Sequence, residues 1–288
     1  MSRITTYLSF VRFSHSVFAL PFALTGALLA LHAHPLSPRD VAWRVVWIVV
    51  AMVAARSAAM GFNRLADAEY DARNPRTAMR ELPRGAMSRT EATIFVLVAA
   101  VVFVAASAML GQVCLVLSPL ALGIVFWYSL AKRVTNYTQF FLALAMAVAP
   151  AGGWLAAGGR LGAAQPWLLG AAIGTWVGGF DILYACQDLE FDRAAGLKSI
   201  PVRFGVPASL LLSRLMHVAA VVCLAILGAT AALGALYFAG VALVAILLVY
   251  EQSLVSADDL SQVKRAFDLN GYVGILYFFS TLAAIYVG

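Results

Sequence analysis

What constrains this chain most is a succession of apolar runs, each long enough to cross a hydrocarbon core as a helix, which takes about 20 residues. They fall at roughly 10–33, 40–63, 90–110, 113–131, 137–157, 166–187, 207–231, 234–255 and 268–287. None shows the alternation of a membrane β-strand, and backbone polar groups in lipid must be satisfied within the segment, so the runs read as helices. With 62% hydrophobic and 12% charged residues among 288, the chain is expected to be an all-α polytopic membrane protein of nine transmembrane helices. A soluble fold is excluded.

Helix-start chemistry supports several of the edges. Ser37-x-x-Asp40 and Ser88-x-x-Glu91 resemble capping boxes, Asn136-x-x-Gln139 has the same spacing, and Pro207 suits a first turn. Arg3 and Arg12 before an apolar stretch loosely imitate a signal peptide. No small-x-small cleavage site stands out, and Val17 to Leu31 leads into further spans, so an uncleaved first helix is expected. Cys114, Cys186 and Cys223 are odd in number and lie inside spans, which fits packing rather than disulfides or a thiolate metal site.

The formal charge of +6 does not point to nucleic acid, because the basic residues cluster in the loops 64–89, 132–136, 188–206 and 256–267, while the opposite loops hold only Arg39 and Arg160. The positive-inside rule then places the N-terminus in the cytoplasm and the C-terminus outside. Nearly all the acids share that cytoplasmic side, so it is the expected working face.

Within it, Asn63, Asp67 and Asp71 are spaced four apart and stack on one face if the helix runs through them. Asp188 and Asp192 repeat the pair 121 residues on (188 − 67 and 192 − 71), and both motifs lead into basic, Pro and Gly residues: Arg76 to Gly85, and Gly196 to Gly205. One domain, 1–288, built of two four-helix pseudo-repeats (10–136 and 137–265) plus a final helix is expected.

Carboxylates of this kind suit Mg²⁺, which takes one or two of them and completes its shell with water and phosphate oxygens. The plainer alternative is that the acids only solvate helix ends beside arginines. Arg76, Arg80, Lys132, Arg133, Lys198 and Arg203 supply cations for a pyrophosphate, and Tyr128 lies one turn before Lys132. Charges inside spans are costly and are functional candidates by default. Arg56 and Asp181 each precede their motif by seven residues, two turns deeper on the same face, so Arg56 either binds an anionic acceptor or neutralises Asp181. Phe180 and Tyr184 beside Asp181 suit a carbocation, whereas Glu251 and His217 read as packing or interfacial groups. The glycines of 170–179 suit close helix packing.

The ordered set Asn63-x-x-x-Asp67-x-x-x-Asp71, Asn74-Pro-Arg76-Thr77, Arg80-x-x-Pro83-x-Gly85, Tyr128-x-x-x-Lys132-Arg133 and Asp181-x-x-Tyr184-Ala-x-Gln187-Asp188-x-x-x-Asp192, running into Gly196-x-Lys198-Ser199, closely resembles the UbiA superfamily of intramembrane aromatic prenyltransferases. The run from Arg12 to Leu24 resembles its bacterial quinone-biosynthesis branch. Many relatives carry Asn-Asp where this chain has Asn63-Arg64.

The resemblance implies transfer of a polyprenyl group from an allylic polyprenyl diphosphate to an aromatic acid, 4-hydroxybenzoate or 1,4-dihydroxy-6-naphthoate, in ubiquinone or menaquinone synthesis at a bacterial inner membrane. Asn63, Asp67, Asp71, Asp188 and Asp192 are then expected to hold Mg²⁺, two ions by analogy, while Lys132, Lys198, Arg76 and Arg80 engage the diphosphate. Arg56, Arg133, Tyr128, Asp181 and Tyr184 are the remaining substrate-binding candidates, with Arg56 and Arg133 assigned to the acceptor. The competing readings are another lipid-diphosphate enzyme and a transporter with an internal repeat.

Overall fold

A computed structural model describes residues 3–11 and 13–288, with the side chains of Ile4 and of 13–18 outside that description. Arg12 and His15 of the N-terminal motif therefore lie outside the described residues. The elements are α1 (Arg3–Phe10), α2 (Phe13–Ala33), α3 (Pro38–Arg73), α4 (Arg89–Leu110), α5 (Gln112–Val134), α6 (Thr138–Ala156), α7 (Gln165–Ala185), a 3-10 turn (Cys186–Asp188), α8 (Leu189–Ala194), α9 (Ile200–Thr230), α10 (Ala235–Ser253) and α11 (Val263–Tyr286). Among the described residues the nine long helices match the nine expected spans. Eight are long and apolar enough to cross a membrane, and α2 contributes the shorter apolar stretch Ala19–Ala33.

Two expected starts form as the sequence indicates. Ser37 accepts from the Asp40 amide at α3, and Ser88 with Glu91 closes a full capping box at α4. The third does not. Helix α6 begins after Tyr137 without a side-chain cap, and Gln139 is buried, its Oε1 accepting from the Ile200 amide at 3.2 Å. At the N-terminus of α9, Ser199 accepts from the Val202 amide and Gln139 takes the Ile200 amide, so the buried Gln139 caps a neighbouring helix and not its own. Gly205, at φ 77° and ψ 171°, splits α9, so Pro207 does open a first turn, that of the helix resumed beyond the break.

Successive long helices pack side by side, and α11 returns from α10 to α2, closing the bundle. The centre is sealed by a close crossing of α2 and α6. A Cβ on Gly153 would stand 1.9 Å from the Ala23 carbonyl oxygen, and one on Gly26 2.1 Å from that of Pro150, so only glycine lets the two backbones touch. Gly170 and Gly174 of α7 meet α6 at Ala147 and Ala143 in the same manner. Beside this seam Phe22 meets Trp176 edge to face, ring centres 5.2 Å apart. Outward faces carry Val101, Val116, Val249 and Tyr272, all exposed, as lipid-facing positions require.

Candidate active site

At 36 residues, α3 is about 54 Å long, far beyond a core of ~30 Å. Its last turns therefore carry Asn63, Asp67 and Asp71 past the apolar bundle without interrupting the helix. The four-residue spacing acts as expected: the Asn63 amide donates to Asp67 Oδ2 at 3.4 Å. Asp67 is nearly buried, with Lys132 Nζ 2.8 Å from Oδ2 and Arg133 Nη2 3.3 Å from Oδ1. These cations occupy the last turn of α5, where a helix favours positive charge, and both lie over the Tyr70 ring, 5.9 and 5.5 Å from its centre. Arg133 also donates to the Ala66 carbonyl. The structure thus places Arg133 at the first acidic motif, its guanidinium spanning a carboxylate and the adjacent backbone oxygen.

The loop after α3 turns back at once. Asn74 Oδ1 accepts from the Arg76 amide at 3.0 Å, and Thr77 Oγ1 donates to the Asp71 carbonyl at 3.1 Å. This fold aims two arginines at the acids. Arg80 Nη1 lies 2.8 Å from both oxygens of Asp71. Arg76 reaches the other half of the chain, with Nε and Nη2 at 3.1 and 2.7 Å from the two Asp188 oxygens and Nη1 3.1 Å from the Tyr184 hydroxyl. Burial pulls the Arg76 guanidinium down, but Asp188 and Tyr184 outweigh it and leave the group above its ordinary range.

The second motif is built differently from the first. Helix α7 stops at Ala185, and Asp188 and Asp192 follow in the 3-10 turn and in α8. The two motifs still converge, for Asp192 is within electrostatic reach of Asp188, Lys132, Arg76 and Asp67. Among the described residues no three His, Cys, Asp or Glu side chains form a metal cage by themselves. Carboxylates from two helix ends with an amide oxygen nonetheless fit a hard ion that draws its other ligands from phosphate and water.

Below this cluster lies a cavity of about 460 Å³, lined by Arg56, Asn63, Arg76, Arg80, Tyr128, Asp181 and Tyr184 together with Phe180. Tyr128 is within electrostatic reach of both Arg56 and Asp181. Lys198 is not drawn into the cluster: its backbone amide donates to the Lys132 carbonyl at 2.8 Å and its ammonium to that of Val134 at 3.0 Å. It closes the end of α5 instead.

Sequence reasoning missed several cavity residues, among them Arg64, Phe267, Asp268, Asn270 and Gly271. Arg64 is buried and donates from Nε to the Phe10 carbonyl at 3.4 Å, tying α3 to α1. Asp268 and Asn270 are polar residues at the head of an apolar run, which was the available signal. His217 is buried among the helices as a packing group, with Nδ1 3.0 Å from Gln252 Nε2, which also donates to Ser213 at 2.7 Å.

The model of the UbiA prenyltransferase family matches residues 19–282. A 4-hydroxybenzoate octaprenyltransferase of Aliivibrio fischeri is 30% identical over 84% of this chain and 84% of its own length, and one of Edwardsiella ictaluri is 33% identical over 80% and 79%. Among solved structures, a UbiA homolog from Aeropyrum pernix K1 superposes with a TM-score of 0.84 at 35% identity, covering 94% of this chain and 98% of its own. A UbiA homolog from Archaeoglobus fulgidus bound to GPP and Mg²⁺ shares the fold, with a TM-score of 0.74 at 20% identity over 97% of this chain and 99% of its own. With acidic motifs converging over an arginine-lined cavity in a bundle of this architecture, the chain belongs to the UbiA prenyltransferase family and is a membrane prenyltransferase.

Proposed function

We propose that this protein transfers a polyprenyl group from an allylic polyprenyl diphosphate to 4-hydroxybenzoate or 1,4-dihydroxy-6-naphthoate. The setting is a bacterial inner membrane, with the site on the cytoplasmic side, the N-terminus inside and the C-terminus outside. The observation that carries the reading is the joining of both acidic motifs by Arg76 above a cavity whose wall holds Arg56. The names of the curated relatives favour the benzoate. The half-repeats, 10–136 and 137–265, are part of the same reading.

Asn63, Asp67, Asp71, Asp188 and Asp192 are the residues that would hold Mg²⁺, in two ions shared with the diphosphate. When bound, such ions supply charge neutralisation that helps a diphosphate to leave. Arg76, Arg80 and Lys132 face the same acids and exchange them for phosphate oxygens, with Lys198 beside Lys132; fixed cations at the departing group lower the barrier to C–O cleavage. Phe180 and Tyr184 flank the allylic cation. Arg56, with Tyr128, holds the acceptor's carboxylate.

Cleavage of the C–O bond releases pyrophosphate and leaves the allylic cation; a ring carbon then forms the new C–C bond with it, and the ring proton leaves. Asp181 faces the cavity and suits that proton better than Asp188, whose oxygens are held by the Arg76 fork. The isoprenoid tail extends between helices into lipid. Purified protein given a polyprenyl diphosphate, Mg²⁺ and each acid is expected to release pyrophosphate and form the prenylated acid, seen by mass spectrometry. No product with either acid would refute the reading.

A further inference from the structure

The last helix supplies a wall of the cavity that the proposed mechanism leaves unused. Phe267, Asp268, Asn270 and Gly271 of α11 all line it. The helix is keyed to α7 by Phe267, which meets Phe180 edge to face at 5.4 Å and Tyr184 at 4.8 Å between ring centres. Asn270 has little left for a ligand: its Oδ1 accepts from Trp176 Nε1 at 2.6 Å and its Nδ2 donates to the Ala266 carbonyl at 3.1 Å. Asp268, between these two, is exposed to the cavity. Among the described residues no cation or donor is recorded at its carboxylate, while Arg76 and Arg80 beside the cavity are turned to Asp188 and Asp71.

An ionisable side chain within a membrane helix is costly, and where it faces a cavity it marks a substrate path. The cavity offers two carboxylates, Asp181 on α7 and Asp268 on α11. Asp181 shares electrostatic reach of Tyr128 with Arg56. Asp268 is on α11, which packs on α10, α2 and α7, whereas the α3 that carries Arg56 packs on α2, α4 and α5.

A hydroxylated aromatic acid has two polar ends with a ring between them. The carboxylate needs a cation, the O–H needs an acceptor, and the ring needs aromatic faces of the kind Phe180 and Phe267 provide. Resting on the aromatic-acid reading above, we propose that Asp268 accepts the hydrogen bond of the acceptor's ring hydroxyl and so sets the preference for hydroxylated over plain aromatic acids. The O–H proton stays on oxygen. A hydroxyl donating to a carboxylate passes more electron density to its ortho carbons, where the allylic group adds.

The test uses the full-length protein in nanodiscs and reads the binding of 4-hydroxybenzoate and benzoate by titration calorimetry, without diphosphate. A hydrogen bond to a charged group discriminates by roughly 10- to 100-fold. The wild type is expected to favour the hydroxy acid by that ratio, and Asp268→Ala to bring the ratio near one with benzoate affinity and the diphosphate KM unchanged. Asp268→Asn, which keeps an acceptor without the charge, is expected to fall between them. Because Asp268 is exposed, its replacement is not expected to disturb folding, which thermal melting checks. A wild-type ratio retained in Asp268→Ala overturns the proposal, as does a ratio that collapses in Asp181→Asn instead. If 4-hydroxybenzoate is prenylated while Asp268→Ala keeps the ratio, only the role of Asp268 is lost. If the wild type neither binds nor prenylates either acid, the acceptor reading fails and takes this inference with it.

Discussion

Arg76 ties the loop of the first acidic motif directly to the second motif, and replacing it by alanine tests whether that tie assembles the site. Three hydrogen bonds are lost, two to Asp188 and one to Tyr184. Shielded bonds to charged groups contribute about 1.5–3 kcal/mol each, while exposed ion pairs contribute about 0–1 kcal/mol. Side-chain exposures of 38% for Arg76 and 21% for Asp188 put this junction between those limits. Solvent screening therefore discounts the total to about 1–2 kcal/mol, a factor of about 5–30 in the opening equilibrium of the 74–88 loop.

Hydrogen exchange with mass spectrometry reads that factor on the amides of Ala78 and Arg84, which donate to Asn74 and Arg80 within the loop. Exchange there is expected to speed up 5- to 30-fold in Arg76→Ala and less in Arg76→Lys, which keeps the charge but not the fork. The α9 and α10 amides should be unaffected. Turnover in Arg76→Ala is expected to fall about 10²- to 10³-fold, the usual effect of removing one fixed charge stabiliser. Wild-type exchange in the loop of Arg76→Ala would show that the arginine does not hold the two motifs together. A fall in turnover without faster exchange would reduce its part to contact with the diphosphate.

Asp67→Asn removes the charged partner of both Lys132 and Arg133, and Asp192→Ala removes a carboxylate within electrostatic reach of both Asp188 and Asp67; each is expected to cut turnover by about 10²-fold or more with an unchanged size-exclusion profile, and near-normal rates would end the metal assignment. Gly153→Ala places a methyl group 1.9 Å from the Ala23 carbonyl oxygen, so α2 and α6 must part at a cost of about 1–3 kcal/mol or more. Its melting temperature in detergent should drop while that of Gly162→Ala, which has open space around the added carbon, should not. Trp176→Phe leaves the buried Asn270 Oδ1 without its 2.6 Å donor; a loss of about 1–3 kcal/mol is expected in denaturant unfolding, and unchanged stability would mean that the amide finds another partner.

The parts of this molecule that are legible in its sequence are those set by one segment at a time. Apolar length determines a span wherever it occurs, so the helices appear where hydropathy puts them, and four-residue spacing determines a face once a helix continues, so Asn63 and Asp67 meet. Partnerships between segments are another matter. Asp188 finds Arg76 112 residues away, and Lys198 turns aside because its own backbone is bonded to Lys132; neither follows from any local pattern. The start of α11 is the most instructive departure. Hydropathy opens the last span at 268, because Val263-Lys-Arg-Ala-Phe267 is broken by two charges. In the structure the helix already begins at Val263, since Val263 and Ala266 are buried in a small apolar cluster with Leu183, Leu210 and Val255. That tertiary burial outweighs the two charges, which stay exposed, Arg265 donating to the Tyr250 hydroxyl of α10 at 2.8 Å. It moves Asp268 from the edge of a span to the second turn of an established helix, beside Phe267 and against α7. Asp268 stays exposed there, but on the wall of an arginine-lined cavity where a substrate can reach it, and that placement follows from the packing of five residues that hydropathy assigns to a loop.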